Sequence, residues 1–207
     1  MKLLCLLVLV AGTARAAEDE QRWSVGAGAT FLSLGIFSAT AQLLPSSSPT
    51  IYVPGAFATL EYRLDAHGSL VLGADGSLLR STSKTGPVEA TSVQTSFGAT
   101  GGYRSRLSRD GAPVGFSLVA LVHLGYAAYS EATAAAPTNS AWDLSFLGGL
   151  AVERQLLEQL SMRLSAMVVS AGYTSYNNED TSSAPPSAHA VHLGLGLAPS
   201  LELRLAF

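Results

Sequence analysis

The chain is short of cysteine, of lysine and of charge in general: it has one cysteine, and only 13% of its 207 residues are Asp, Glu, Lys or Arg. The cysteine, Cys5, sits in an N-terminal leader, so the rest of the chain holds no disulfide framework and needs another source of rigidity. Lysine is confined to Lys2 and Lys84, and acids outnumber bases 15 to 12, which gives no electrostatic footprint for nucleic acid. Outside the leader there is no run of 18 apolar residues, which excludes a transmembrane helix. Yet 48% of the residues are hydrophobic. High apolar content without a long apolar run leaves either a soluble all-β core or a membrane barrel, whose apolar residues alternate with polar ones.

The leader itself is informative. Met1-Lys2 is a short positive segment, Leu3 to Val10 is apolar, and Ala14-Arg15-Ala16 places small residues where a signal peptidase reads them. Cleavage is expected after Ala16, leaving residues 17–207 as one domain. Loss of Lys2 and Arg15 leaves ten bases against 15 acids, a formal charge of −5. Cys5 precedes most of the apolar segment, too early for lipid modification.

From Trp23 onward the dominant signal is alternation with period two, the signature of strands. Trp23, Val25, Ala27 and Ala29 share one parity; Ser24, Gly26 and Gly28 share the other. The same pattern recurs around Leu60, Leu72, Phe97, Leu118, Leu144 and Leu164, and from Val191 to Phe207. Eight strands are expected, near 23–34, 52–64, 69–80, 91–106, 113–129, 141–155, 160–173 and 189–207. Pro199 predicts an irregularity in the last.

The connections alternate too. Segments 35–51, 81–90, 130–140 and 174–188 are long and rich in Ser, Thr, Pro and Asn; segments 65–68, 107–112 and 156–159 are short, with Asp110-Gly111 as a hairpin signal. In an up-and-down barrel alternate connections share an end, so all long loops gather at one end and all tight turns at the other. An even strand count then puts both termini at the turn end, expected to be periplasmic. A sandwich with Greek-key crossovers has no reason for such regularity.

The apolar parity reads as the lipid face, including Leu160, Met162, Leu164, Ala166 and Val168 on the seventh strand. Aromatics gather near its ends: Trp23, Tyr62, Tyr103, Phe116 and Phe207 toward the turns, Phe31, Tyr126 and Trp142 toward the loops. The other parity carries many Gly and Ser together with Glu61, Arg63, Asp75, Arg104, Asp143, Glu153, Arg163, Glu202 and Arg204. Small residues let about eight strands close around a lumen that side chains fill. Five acids and four bases are near balance, which predicts a plug of ion pairs rather than a pore.

Leu201-Glu202-Leu203-Arg204-Leu205-Ala206-Phe207 ends the chain on an alternating strand with a terminal aromatic. With the leader and the eight alternating segments, this resembles the small outer-membrane β-barrel proteins of Gram-negative bacteria, over essentially the whole mature chain. The resemblance implies an all-β, antiparallel, up-and-down transmembrane barrel in the outer membrane. It also implies outer-membrane lipids as surroundings, and recognition of Phe207 by the outer-membrane assembly machinery.

Motifs of catalysis and cofactor binding are missing: no GxxxxGKS, no HExxH, no calcium loop. His189 and His192 differ in parity and point to opposite faces, poor spacing for one metal. Asn177-Asn178-Glu179-Asp180 reads as a solvated loop tip. Gly26/Gly28 and Gly194/Gly196 lie along strand faces and form no phosphate turn. No catalytic residue, cofactor site or metal site is therefore assigned. The expected role is structural, or adhesive through loops 35–51 and 174–188 and an extracellular ligand of unknown identity. Three alternatives stand beside it. One is a narrow pore; another is a soluble periplasmic barrel with an apolar interior ligand. The third is a lipid-modifying enzyme, using His123 with an interior acid, or His192 with Ser182 or Ser183.

Overall fold

Period-two alternation folds here as one closed antiparallel sheet. The computed structural model describes residues 22–30, 34–41, 55–85, 88–109, 112–131, 139–178 and 187–207. Strands β1 (Trp23–Thr30) and β2 (Leu34–Ala41) are followed by β3 (Ala56–Arg63), β4 (Gly68–Thr85), β5 (Val88–Arg106), β6 (Val114–Glu131), β7 (Asn139–Gln155), β8 (Leu160–Asn178) and β9 (Ser187–Ala206). Each of β3 to β9 pairs with its neighbour in sequence, and β1 pairs with both β3 and β9, which closes the ring. β1 lies along Ser200–Ala206 of β9 and β2 along Val191–Leu197, so the two segments are the lower and upper parts of one stave. The barrel therefore has eight staves, as the alternation predicts.

The strands run longer than expected, at the expense of the loops. Sequence composition predicts loops throughout 35–51, 81–90 and 174–188. Instead β2 occupies 34–41, β4 and β5 approach to within residues 86–87, and β8 and β9 extend to Asn178 and back to Ser187. Strict long–short alternation thus fails at 86–87, which is shorter than the connection 107–113 at the opposite end. The reason is that a polar, Ser/Thr-rich stretch can continue a two-stranded ladder beyond the apolar band, because the backbone bonds there do not depend on side-chain burial. β4 to β9 are 17–20 residues long. Spanning the hydrocarbon takes only about 9–11, so their upper ends stand clear of it. The leader, Phe31 and the whole of 42–54 lie outside the described residues.

The faces are inverted relative to a soluble protein. Leu72 and Leu78 are 59% and 72% exposed, whereas Glu61 and Arg163 are 3% and 4% exposed. A water-soluble barrel with this surface would expose a continuous apolar belt; a bilayer covers it. Rings border the belt. Trp23 packs on Tyr62 near the turns, and Phe97, Tyr126 and Trp142 stack in series across β5, β6 and β7. From Phe116 to Tyr126 on β6 is ten residues, about 33 Å along the strand and about 25 Å along the barrel axis at a tilt of about 40°. That is the height of an outer-membrane hydrocarbon band.

The register shifts along one side of the barrel. Between β7 and β8 the shift falls at Gly148/Gly149 opposite Val168, and between β8 and β9 at Met167/Val169. A third lies between Gly35 and Phe37 on β2. Pro199, where an irregularity is expected, stays in register with Ala166, and the shift falls beyond Ala198. A bulge adds one residue and so exchanges the two faces of a strand above it. On β8, Arg163 and Met167 face inward below the bulge, but Thr174 faces inward above it, while Val169 and Tyr173 face outward. The expected outer parity therefore holds only to Ala166 and ends at Val168, above which Val169 and Tyr173 face outward instead.

Candidate functional site

The lumen is organised in layers, and the lowest is ionic. Glu61 on β3, Arg104 on β5, Glu153 on β7, Arg163 on β8 and Glu202 and Arg204 on β9 meet in one network. Arg163 donates to Glu61 and Glu153 at 2.9 Å and to Glu202 at 3.4 Å. Arg204 donates to Glu61 at 2.6 Å and to Glu153 at 2.9 Å. Arg104 donates to Glu61 and, at 3.1 Å, to Glu153. Hydroxyls complete it: Ser161 donates to Glu153 at 2.6 Å, Thr59 donates to Glu202, and Ser24 accepts from Arg204. Three carboxylates face three guanidiniums, so the network is neutral. The long side chains fit because small ones stand beside them in register. Ser24 pairs with Glu61, Ser69 with Arg104 and Gly26 with Arg204. A Cβ on Gly26 would collide with the carboxylate of Glu202, which accounts for the glycine on the inner face of β1.

Below the plug, at the turn end, is a cavity of about 310 Å³ whose wall includes Arg22, Arg63, Arg106 and His67. Arg63 donates there to the carbonyl of Asp65 at 3.1 Å. The turn is set by Asp65, whose carboxylate accepts the N–H groups of His67 and Gly68 at 2.7 Å each. These two bonds hold its carboxyl below the ordinary aspartate range.

Above the plug is a second cavity, of about 160 Å³. Its wall is mainly apolar: Phe57, Val71, Val119, Leu121, Leu147 and Met167 point in from β3, β4, β6, β7 and β8. Arg104 borders both cavities, so the plug is the partition between them.

The upper layer is a belt of polar side chains. Asp75 on β4 pairs with His123 on β6 at 3.1 Å across Gly98. On β7, Asp143 accepts from Ser145 and, at 2.8 Å, from Thr174. His192 reaches Ser145 at 3.4 Å across Gly172. A Cβ at Gly98 would meet the imidazole of His123, and one at Gly172 would meet His192 and Ser145. Glycine opposite each ring is what gives the ring its space.

Of the nine charges expected in the lumen, six form the plug, Asp75 and Asp143 belong to the upper belt, and Arg63 lines the mouth. The histidine pair separates as its parity requires: His189 is exposed and bonds Tyr173 at 2.7 Å, while His192 faces inward. The suggested partners Ser182 and Ser183 lie outside the described residues; the serine that His192 meets is Ser145. That serine donates to Asp143 directly, whereas acyl transfer requires the histidine between serine and acid. The grouping is a hydrogen-bond belt, without a base set to take the serine proton. Among the described residues no three His, Cys, Asp or Glu side chains converge as metal ligands. What parity alone does not reveal is the apolar chamber. Val71, Val119, Leu121, Leu147 and Met167 are each legible as apolar residues on the polar parity; that they stand at one level is not.

The model of the outer membrane protein beta-barrel domain matches residues 3–198, and the chain belongs to that family. It is thus a Gram-negative outer-membrane protein. No curated protein sequence matches the chain. Among solved structures it is similar to a major outer membrane protein from Thermus thermophilus, at 12% identity and a TM-score of 0.57, over 90% of this chain and 98% of that one. It is also similar to the outer membrane protein OprG from Pseudomonas aeruginosa, at 11% identity and a TM-score of 0.51, over 91% and 99% of the two chains. At these identities the likeness concerns the fold.

Proposed function

We propose that this protein is a non-conducting, non-enzymatic barrel that anchors a surface structure in the outer membrane. The observation that carries this is the neutral plug of Glu61, Arg104, Glu153, Arg163, Glu202 and Arg204, which fills the lumen at its level with mutually paired ions. In this reading the leader is removed after Ala16, both termini face the periplasm, and residues 17–207 form the mature barrel. The loop end faces outward. Strand extensions beyond Tyr126 and Trp142 lift the connections around 42–54, 132–138 and 179–186 clear of the lipid, as a binding or adhesive surface. Phe207 closes β9 beside Trp23, where its N–H donates to the Trp23 carbonyl at 2.9 Å. In this reading the same residue is the handle for the assembly machinery. Planar-bilayer recording of the refolded mature chain tests the central point. Silence at applied bias of either sign is expected; discrete, reproducible conductance steps would replace the plug by a narrow pore.

A further inference from the structure

The chamber above the plug is more than packing left undone. Elsewhere the lumen is polar, yet here five staves turn apolar side chains inward at one level, around about 160 Å³. Water in a cavity needs two to four polar partners, and an apolar cavity of about 150 Å³ stays dry and takes up benzene. The charges of the neighbouring ions are engaged with one another. Arg104, Arg163 and Glu202, which border the chamber, are already paired within the plug. A few polar residues border the space, among them Thr59, Ser96, Thr100 and Ser165. Asp75 and His123 both line it, and the Asp75 side chain remains about a third exposed. Asp75 spends Oδ1 on His123, and Oδ2 is a second acceptor on the same carboxylate.

We propose that this chamber binds a small neutral aromatic molecule bearing one hydroxyl. The ring lies among Val71, Val119, Leu121, Leu147 and Met167, and the hydroxyl reaches the Asp75–His123 pair. A concave, predominantly apolar wall with a few convergent polar groups is the usual form of a small-molecule site. The proposal is independent of the structural role, since a sealed barrel can hold such a guest without passing it.

The test is a phenol titration of the mature chain in lipid nanodiscs, with methyl-labelled Val, Leu and Met read by NMR. Phenol also partitions into lipid, so two sets of methyls are compared. The expected result is a saturable shift, at about millimolar phenol for so small a ligand, confined to Val71, Val119, Leu121, Leu147 and Met167. The lipid-facing Leu72, Leu124, Leu144 and Leu195 should drift linearly without saturation. Leu147→Trp, which fills the chamber, should abolish the saturable part while the protein keeps its heat-shifted gel band. Met167→Phe serves if Leu147→Trp does not fold. His123→Phe should weaken phenol about ten-fold and leave benzene unchanged. Interior methyls that stay still, or drift in step with the lipid-facing set, would overturn the proposal. So would water cross-peaks at all five that persist at saturating phenol.

Discussion

Arg163 is the residue whose removal tests the plug most severely. Its guanidinium bonds all three carboxylates of the network, and every carboxylate side chain it touches is at most 14% exposed. Arg163→Met keeps an unbranched, flexible side chain and removes the charge. Glu61, Glu153 and Glu202 then share Arg104 and Arg204, with one negative charge uncompensated in the lumen. Breaking a buried pair by deleting one partner costs about 3–5 kcal/mol. Because its bonds to three carboxylates vanish together, the upper part of that range is expected, a factor of about a thousand in the folding equilibrium. Solvent screening is no reason to discount it at these exposures. The assay is equilibrium urea unfolding in detergent micelles, followed by tryptophan fluorescence and by the heat-shifted band. Glu61→Gln combined with Arg163→Met restores neutrality. It should therefore cost clearly less than the sum of the two single changes, with a coupling of about 2 kcal/mol. If Arg163→Met costs under about 1 kcal/mol, or the cycle is additive, the charges do not act as one network and the argument for a sealed lumen loses its base.

Three further outcomes follow from particular contacts. Gly98→Ala pushes against the ends of the His123 and Asp75 side chains, which can move, so it should cost under about 1 kcal/mol and displace the His123 ring resonances. Gly102→Ala pushes against the Ala120 carbonyl and the Leu121 backbone, which cannot yield as easily, and should cost about 2–3 kcal/mol in the same urea assay; equal costs would contradict this. The Asp65 carboxyl titrates below the ordinary aspartate value because the folded turn favours its charged form. The turn's contribution is thus full above the unfolded value and fades as pH falls through the depressed folded one. The amide shifts of His67 and Gly68 should report that low midpoint and lose it in Asp65→Asn; a midpoint at the ordinary value would refute the two N–H bonds. Deleting Phe207 should lower the heat-shifted fraction in outer membranes several-fold yet leave refolding of purified protein in detergent intact; a parallel loss in both would assign Phe207 to packing alone.

Strand number, inner and outer faces and the membrane setting are legible in the sequence because they rest on a period-two pattern that each segment carries by itself. Leu60 and Glu61, or Leu203 and Arg204, announce opposite faces wherever the strand happens to sit. Strand ends are not legible at 34–41, 81–85 and 88–90. There the pairing partner, rather than local composition, decides whether a polar stretch continues the ladder. Alternation misleads on the upper part of β8 for a related reason. The bulge opposite Gly148/Gly149 is set by how β7, β8 and β9 align, and it turns Val169 and Tyr173 outward and Thr174 inward against the pattern that Arg163 and Met167 follow below it.

The sequence by itself determined that five acids and four arginines share the inner parity and that their charges nearly cancel. Only the tertiary structure decided which of them meet. Parity fixes direction, whereas height in the lumen depends on register around the whole ring. That register brings Glu61 to Arg163, 102 positions apart in the chain, and leaves Asp75 and Asp143 in a separate belt. It also sets apolar side chains from five strands at one level. A chamber is a property of closure, and no single strand can write it.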